Sequence, residues 1–200
     1  MLKRLADWLI ERARRTPYYY RDADGVLRFH LYGRDGSPYM ARYWLIPYNR
    51  TGIAARVHHI LRSDEDRHLH DHPWWSISII LRGGYFEEVP CNWWHPCGYC
   101  GPVWEDSRRI YGCQGTAKVW RGPGSVIFRR ARDWHRLELD ADYLNDWRRE
   151  CWTLFIIGPK RKDGDPDHAC WGFLVDGEKV PADVYLGDRY VSTNYAGAAV

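Results

Sequence analysis

Histidines are the residues of this sequence that are best placed to do chemistry. His68, His70 and His72 stand two residues apart in the run His-Leu-His-Asp-His-Pro, and His135 lies far along the chain. Side chains two residues apart in a β-strand project to the same face, so His70 and His72 can direct two imidazoles at one cation. A third ligand must then come from a distant strand, and His135 is the candidate. Imidazole nitrogens bind several transition metals, so the spacing predicts a three-histidine metal site.

These histidines need β-strands to hold them in position. Most of the sequence after residue 15 has the pattern of short β-strands. Short runs rich in aromatic and β-branched residues alternate with Gly, Pro, Asn and Asp, a pattern typical of a sandwich or a closed barrel. Gly83-Gly84 predicts a hairpin turn between two runs, and Asp176-Gly177 predicts the turn of a late hairpin over 171–180. The other predicted strands are 26–31, 39–47, 52–61, 75–81, 85–89, 118–120, 125–129, 135–139 and 152–158.

The spacing of the histidine motifs resembles that of the cupin superfamily. Cupins carry a first motif of His-x-His, usually a Glu, and then a Gly, and a second motif that runs from Gly-Asp through an apolar strand to a His. Here His70-x-His72 precedes Gly83, and Gly124 precedes His135 at the spacing of the family. The resemblance implies an all-β, single-domain cupin barrel (a double-stranded β-helix, or jelly roll) with a metal held by the three histidines. It extends to cupin-like proteins of bacteriophages and bacteria.

The two motifs also depart from the family pattern. Ser76 stands at the position of the usual Glu, and Ser125 stands at the position of the usual Asp. Three imidazoles without a carboxylate suit Fe(II), with Zn, Ni, Mn or Cu as alternatives, and they leave coordination positions open for water or substrate. A barrel that has lost its metal, with the histidines lining its core, stays open as the alternative.

Several residues near the ligands are expected to line a substrate pocket. Glu87 is expected to point inward roughly 13 Å along the strands from Ser76, which is too far to coordinate the same ion. It is therefore interpreted as a pocket group, or as a partner of Arg82. The predicted pocket residues are His68, Ser76, Glu87, Arg130 and Trp134. For His68 a rim position is the alternative to a substrate-contacting base, and for Arg130 a solvated basic edge is the alternative to an anion contact.

A cysteine-rich stretch over 90–117 is predicted to be a loop inserted in the barrel. One Cys-x2-Cys pair within it has the spacing of a structural zinc knuckle. A zinc ion would order a loop that has little aliphatic content, although a set of reduced, partly buried thiols explains the same residues. The candidate ligands of this second site are Cys91, Cys97, Cys100 and Cys113, with His95 as a substitute.

The chain of 200 residues is expected to form one domain, with a barrel core over 55–158 and a C-terminal extension over 160–200. Residues 1–15 predict an amphipathic helix that packs on the barrel or serves a homodimer. Its predicted apolar face carries Leu2, Leu5, Trp8 and Leu9.

Charge and hydropathy exclude some classes of function. A net charge of +3 provides no field for nucleic acid or an anionic membrane. No apolar run is long enough to span a bilayer, and Asp7 and Glu11 interrupt any signal peptide. These features predict a cytoplasmic protein with reduced cysteines, and the resemblance to cupins implies a small molecule as its partner.

The resemblance implies a metal-dependent enzyme, with an Fe(II)-type oxygenase of a small molecule as the leading hypothesis. Three-histidine sites occur in cupin dioxygenases that act on thiols. Cupins also include proteins that only bind ligands, so a non-enzymatic small-ligand-binding cupin is one alternative. An interaction protein with a structural zinc is the other.

Overall fold

The computed structural model describes residues 2–15, 30–32, 38–46, 51–91, 115–139, 150–161 and 168–187. Within these ranges strands predominate, and nearly every predicted strand is confirmed to within a few residues. The helices are α1 (Leu2–Arg14) and α2 (Ala182–Leu186). The strands are β1 (His30–Tyr32), β2 (Pro38–Ile46), β3 (Ala54–Ile60), β4 (Ser76–Gly83), β5 (Tyr85–Pro90), β6 (Thr116–Arg121), β7 (Val126–Arg129), β8 (Arg136–Glu138), β9 (Cys151–Ile157), β10 (Gly172–Val175) and β11 (Glu178–Pro181).

The strands form two main antiparallel sheets, which confirms the all-β fold class. One sheet has the order β1-β2-β3-β9-β4-β7, and the other has the order β6-β5-β8. A bridge between His70 and His135 adds the segment 68–72 beside β8. The second sheet therefore continues as 68–72, β8, β5 and β6, opposite β3, β9, β4 and β7. Two facing sets of four antiparallel strands, in which each strand except β6 lies in the other sheet from the strand before it, are the arrangement of a jelly roll.

The predicted hairpin at Gly83-Gly84 is wrong. β4 pairs with β9 and β7, whereas β5 pairs with β6 and β8, so the chain crosses from one sheet to the other at these glycines. Gly83 has a φ of 69°, and a Cβ added there would lie 2.0 Å from the carbonyl oxygen of Glu150. The glycines thus serve a close crossing of backbones and not a two-residue turn. The late hairpin is confirmed: β10 and β11 pair around Asp176 and Gly177, which have φ values of 49° and 86°.

The interior lies between the two sheets and is apolar at one end. The core cluster there takes residues from strands of both sheets and is completed by Tyr39 and Leu137. Its buried members are Met40, Ile60, Ile80, Tyr85, Ile127, Leu139 and Cys151. This end of the interior fixes how the sheets face each other.

Helix α1 covers the outer face of the six-stranded sheet, which confirms the predicted helix but corrects its buried face. Its contact with the sheet is made by Ala6, Ile10 and Ala13, while Leu5 and Trp8 are 53% and 60% exposed. The small alanines let the helix approach the sheet closely, which the bulkier predicted face would not allow. Ile10 and Ala13 pack against buried residues of β3 and β9. No helix of the described residues is long and apolar enough to cross a membrane.

Candidate metal centre

The backbone brings two of the predicted ligands side by side. The amide of His70 donates to the carbonyl of His135 at 2.9 Å, and the amide of His135 donates back at 3.0 Å. This reciprocal pair is an antiparallel bridge between the segment 68–72 and the start of β8. Since directly opposed residues of an antiparallel pair point to the same face, both imidazoles enter the interior together. His72, two residues on, joins them from the same side.

Asp71 holds the ligand segment in place from the opposite side. Its carboxylate is 1% exposed, accepts the Gly172 amide at 2.7 Å and lies 2.8 Å from Lys179 Nζ. The amide of Leu174 also donates to the carbonyl of Leu69 at 2.8 Å. The β10–β11 hairpin thus clamps the segment through the residue between the two histidines.

The three imidazoles are close enough to share one ion. One ring nitrogen from each of His70, His72 and His135 lies within 4.8 Å of the others. The Nε2 atoms of His72 and His135 are 2.9 Å apart. Two nitrogens bound to one tetrahedral ion at about 2.1 Å lie about 3.4 Å apart, so small rotations of the rings would accommodate a metal. The donor set fits a transition-metal ion.

The electrostatics keep the rings of His72 and His135 neutral. Burial and the charge of Arg129 lower the pKa of His135 to about 4. Burial, with the neighbouring histidines, holds the pKa of His72 well below its usual range. A neutral imidazole has a lone pair to donate to a metal, whereas an imidazolium has none.

Glu87 stands behind His135 in a buried network. Its Oε1 lies 3.3 Å from His135 Nδ1, and it accepts from Arg129 Nε at 2.6 Å and from Arg121 Nε at 2.7 Å. Burial alone would raise the pKa of Glu87, but His135 and the two guanidinium groups lower it, so the carboxylate is ionised. An ionised carboxylate at Nδ1 favours the tautomer whose Nε2 lone pair faces His72. The predicted partner of Glu87 is thereby corrected, because Arg82 pairs instead with Asp7 at 2.5 Å.

A cavity of about 300 Å³ opens in front of the histidines. His70, His72 and His135 form one part of its wall, and aromatic and aliphatic side chains form much of the rest. The ring of Trp74 stacks on His72 with centroids 6.2 Å apart and an interplanar angle of 9°. The size is at the low end for small-molecule sites, so the cavity suits a compact ligand.

The other predicted pocket residues lie outside the lining of this cavity. His68 Nδ1 bonds to the Tyr185 hydroxyl at 2.8 Å, Ser76 is buried in β4, and Arg130 is exposed. Trp134 lies with Glu87 along a separate cleft of about 340 Å³ behind His135.

The cysteine-rich stretch falls largely outside the described residues, which include Cys91 but not Cys97, Cys100, Cys113 or His95. Cys91 is half-buried, and its amide donates to the carbonyl of Gly115 at 2.9 Å. The zinc site therefore stays a prediction.

Three cavity residues were not among the predicted site residues. Arg42 of β2 and Arg56 and His58 of β3 line the cavity together with the histidines. In β3 the inward positions carry Ala54, Arg56, His58 and Ile60 in alternation, so the strand places charged groups on a buried face. An Arg at an inward position of an otherwise apolar strand was the available signal.

Among known proteins, this chain is similar to several solved structures. No family model matches the chain, and no curated protein matches it. The Fe(II) form of HppE is 12% identical with a TM-score of 0.42, over 69% of this chain and 62% of that chain. A cupin-2 domain from Rhodospirillum rubrum is 14% identical with a TM-score of 0.41, over 74% and 80%. A cupin superfamily protein from Desulfitobacterium hafniense DCB-2 is 10% identical with a TM-score of 0.37, over 60% and 78%. Cupin proteins are thus among the solved structures to which this chain is similar.

Proposed function

We propose that this chain is a metal-dependent enzyme that acts on a small molecule in the cavity, with an Fe(II)-type oxygenase as the reaction class. The observation that carries the proposal is the convergence of three imidazoles on the wall of a cavity of about 300 Å³. Isolated buried histidines need hydrogen-bond partners, and a cluster of three at a cavity wall is costly to maintain without a ligand.

The residues of the chain have distinct roles in this proposal. His70, His72 and His135 would hold the ion, and Glu87 would fix the tautomer of His135. A bound metal would bring substrate and dioxygen together and polarise them. Trp74 and Phe155 at the cavity wall keep bulk water from the reacting groups.

The charge of the ligand set favours an anionic substrate. Three neutral imidazoles do not compensate the charge of a divalent ion, so a negatively charged group that enters the cavity gains electrostatic stabilisation there. The aromatic lining favours a substrate with an apolar body. Both features support binding of the substrate next to the ion.

The first test is the metal content of the purified full chain, measured by inductively coupled plasma mass spectrometry. We expect about one transition-metal ion per chain in addition to any zinc, and its loss in a His72→Ala/His135→Ala variant. His168→Ala is the matched control, because His168 is exposed and contacts Asp183 on the surface. A Cys97→Ser/Cys100→Ser variant identifies zinc that belongs to the cysteine-rich stretch.

The second test is oxygen uptake by the iron-loaded protein with small carboxylic acids and thiols. Uptake that depends on substrate and disappears in the His72→Ala/His135→Ala variant supports the oxygenase. A metal content that the double variant leaves unchanged would contradict the three-histidine site. A metal that binds without any substrate-dependent uptake would reject the oxygenase and leave a ligand-binding protein.

A further inference from the structure

Beyond the three histidines, the cavity has a second polar wall. Arg42 lies on β2 and is paired in register with His58 on β3. Arg56 precedes His58 by two residues on β3, so the two side chains share one face of the strand. All three side chains line the same cavity as the metal-ligand candidates. The wall is built on two paired strands, so its groups keep a fixed spacing.

His58 points a buried nitrogen into this wall. The residue is 6% exposed, and its Nε2 has no hydrogen-bond partner among the described residues. Its ring stacks on Phe155 with centroids 4.6 Å apart, which fixes its orientation. A buried polar atom without a partner costs free energy, and a bound ligand would recover that cost.

Arg56 brings a full charge to the same place. It is 2% exposed, and its guanidinium lies 5.0 Å from the ring centroid of Trp44 and 5.3 Å from that of Phe155. The aromatic contacts hold the guanidinium rigidly, so little side-chain entropy is lost when its N–H groups bind an oxyanion.

Several charged side chains line the cavity. Among the described residues that line it, Arg42, Arg56 and Arg129 are the arginines, and Asp64 is the carboxylate. Arg129 is matched by Glu87.

We propose that Arg42, His58 and Arg56 form a subsite for an oxyanion, a carboxylate or a phosphoryl group, of the molecule that occupies the cavity. Guanidinium groups bind both anions through pairs of N–H donors, and His58 can donate a further hydrogen bond from Nε2. As a substrate subsite it rests on the proposed function, but the anion site itself does not require a metal. The molecule would then be a compact organic acid or phosphorylated compound with its anionic end on β2 and β3.

The test is a titration of the full chain with inorganic phosphate and with benzoate, before and after the metal is removed by a chelator. Binding is measured by isothermal titration calorimetry, and the imidazole of His58 is followed by nuclear magnetic resonance. We expect at least one probe to bind the metal-free chain, to shift the His58 signals, and to bind about tenfold more weakly in Arg56→Met and in Arg42→Gln. The preferred probe tells a carboxylate from a phosphoryl site.

Controls separate this proposal from the proposed function. Lys118→Gln removes an exposed cation from β6 and should leave the dissociation constant unchanged. Circular dichroism checks folding, and Arg42→Gln, at a half-buried position, keeps the test valid if Arg56→Met fails to fold. Equal affinity in the arginine variants, or loss of all probe binding with the metal, would overturn the subsite. Arginine-dependent binding in a chain that never holds a metal at the histidines would uphold the subsite and reject the enzyme.

Discussion

The two faces of the six-stranded sheet are built from the same strands but serve opposite purposes. On the outer face, Val57 and Trp152 are 0% exposed and pack against Ile10 and Ala13 of α1. On the inner face, Arg56 and His58 flank Val57 in sequence and are almost as deeply buried, yet they are polar and line a cavity. A strand with a side-chain period of two can therefore carry stability on one face and chemistry on the other.

The inner face is itself divided along the strands. At one end Ile80 and Cys151 belong to the apolar core cluster, and at the other end Arg56 and Thr153 line the cavity. The apolar end holds the two sheets together, so the polar end can keep buried groups whose hydrogen bonds a ligand would complete. Such a division is expected where a fold gives up local stability to build a site.

The largest effect on stability is expected on the outer face. Trp152→Ala removes a fully buried ring that stacks on His59 with centroids 3.8 Å apart. The loss of contacts and the cavity left behind should lower the free energy of unfolding by about 3–5 kcal/mol, measured by chemical denaturation. Trp8→Ala, on the exposed side of α1, is the control and should have little effect. If the Trp152→Ala variant stays folded but loses its metal, the two faces do not act independently.

A smaller effect on the metal site is expected for Glu87. Glu87→Gln keeps the size of the side chain but removes the charge next to His135 Nδ1. Metal affinity should fall about 10–100-fold, measured by competition with a chelator. Glu88→Gln is the matched control, because the neighbouring carboxylate contacts Thr116 and Arg136 away from the histidines. Equal losses in both variants would mean that Glu87 has no special role at His135.

Replacing either of two adjacent histidines of β3 with leucine should change the free energy of unfolding, but in opposite directions. His58→Leu replaces a buried nitrogen that lacks a partner among the described residues, so the free energy of unfolding should rise by about 1 kcal/mol. His59→Leu, on the outer face, removes a contact of 2.5 Å with Glu150 and a stack on Trp152, so stability should fall. Thermal unfolding of both variants checks the signs. A decrease in both would show that His58 is a structural residue, which would weaken the proposed subsite.

What the sequence could predict depended on how local the signal was. The period of two in the strands predicted an all-β fold, and the two histidine motifs predicted that His70, His72 and His135 would lie together, because each signal is written in short segments. The turn at Asp176-Gly177 was also local. The crossing at Gly83 was not, since choosing between a hairpin and a change of sheet requires knowing which strands compete for β4.

The polar wall was missed for a similar reason. Arg42 and Arg56 lie on strands that precede the histidine motifs, and only the pairing of β2 with β3 and of β3 with β9 brings them to the cavity. The helix face was misplaced because Leu5 and Trp8 are more hydrophobic than Ala6 and Ala13, whereas close packing on a sheet favours the small side chains.

The smallest effect concerns the division along β9. Cys151 is buried in the apolar core cluster. Burial raises the pKa of its thiol, so little thiolate is available to react. We expect iodoacetamide to leave Cys151 unlabelled in the native chain and to label it after unfolding, as read by peptide mass mapping. Thr153→Cys places a thiol two residues away on the same inner face, at the cavity, and this thiol should react in the native state. Because the two thiols share one strand and one face, a difference in their rates measures access to the cavity and not the stability of β9. Equal protection of both would mean that the cavity is closed to solutes of this size, and that the histidines and arginines that line it can be reached only after the chain opens.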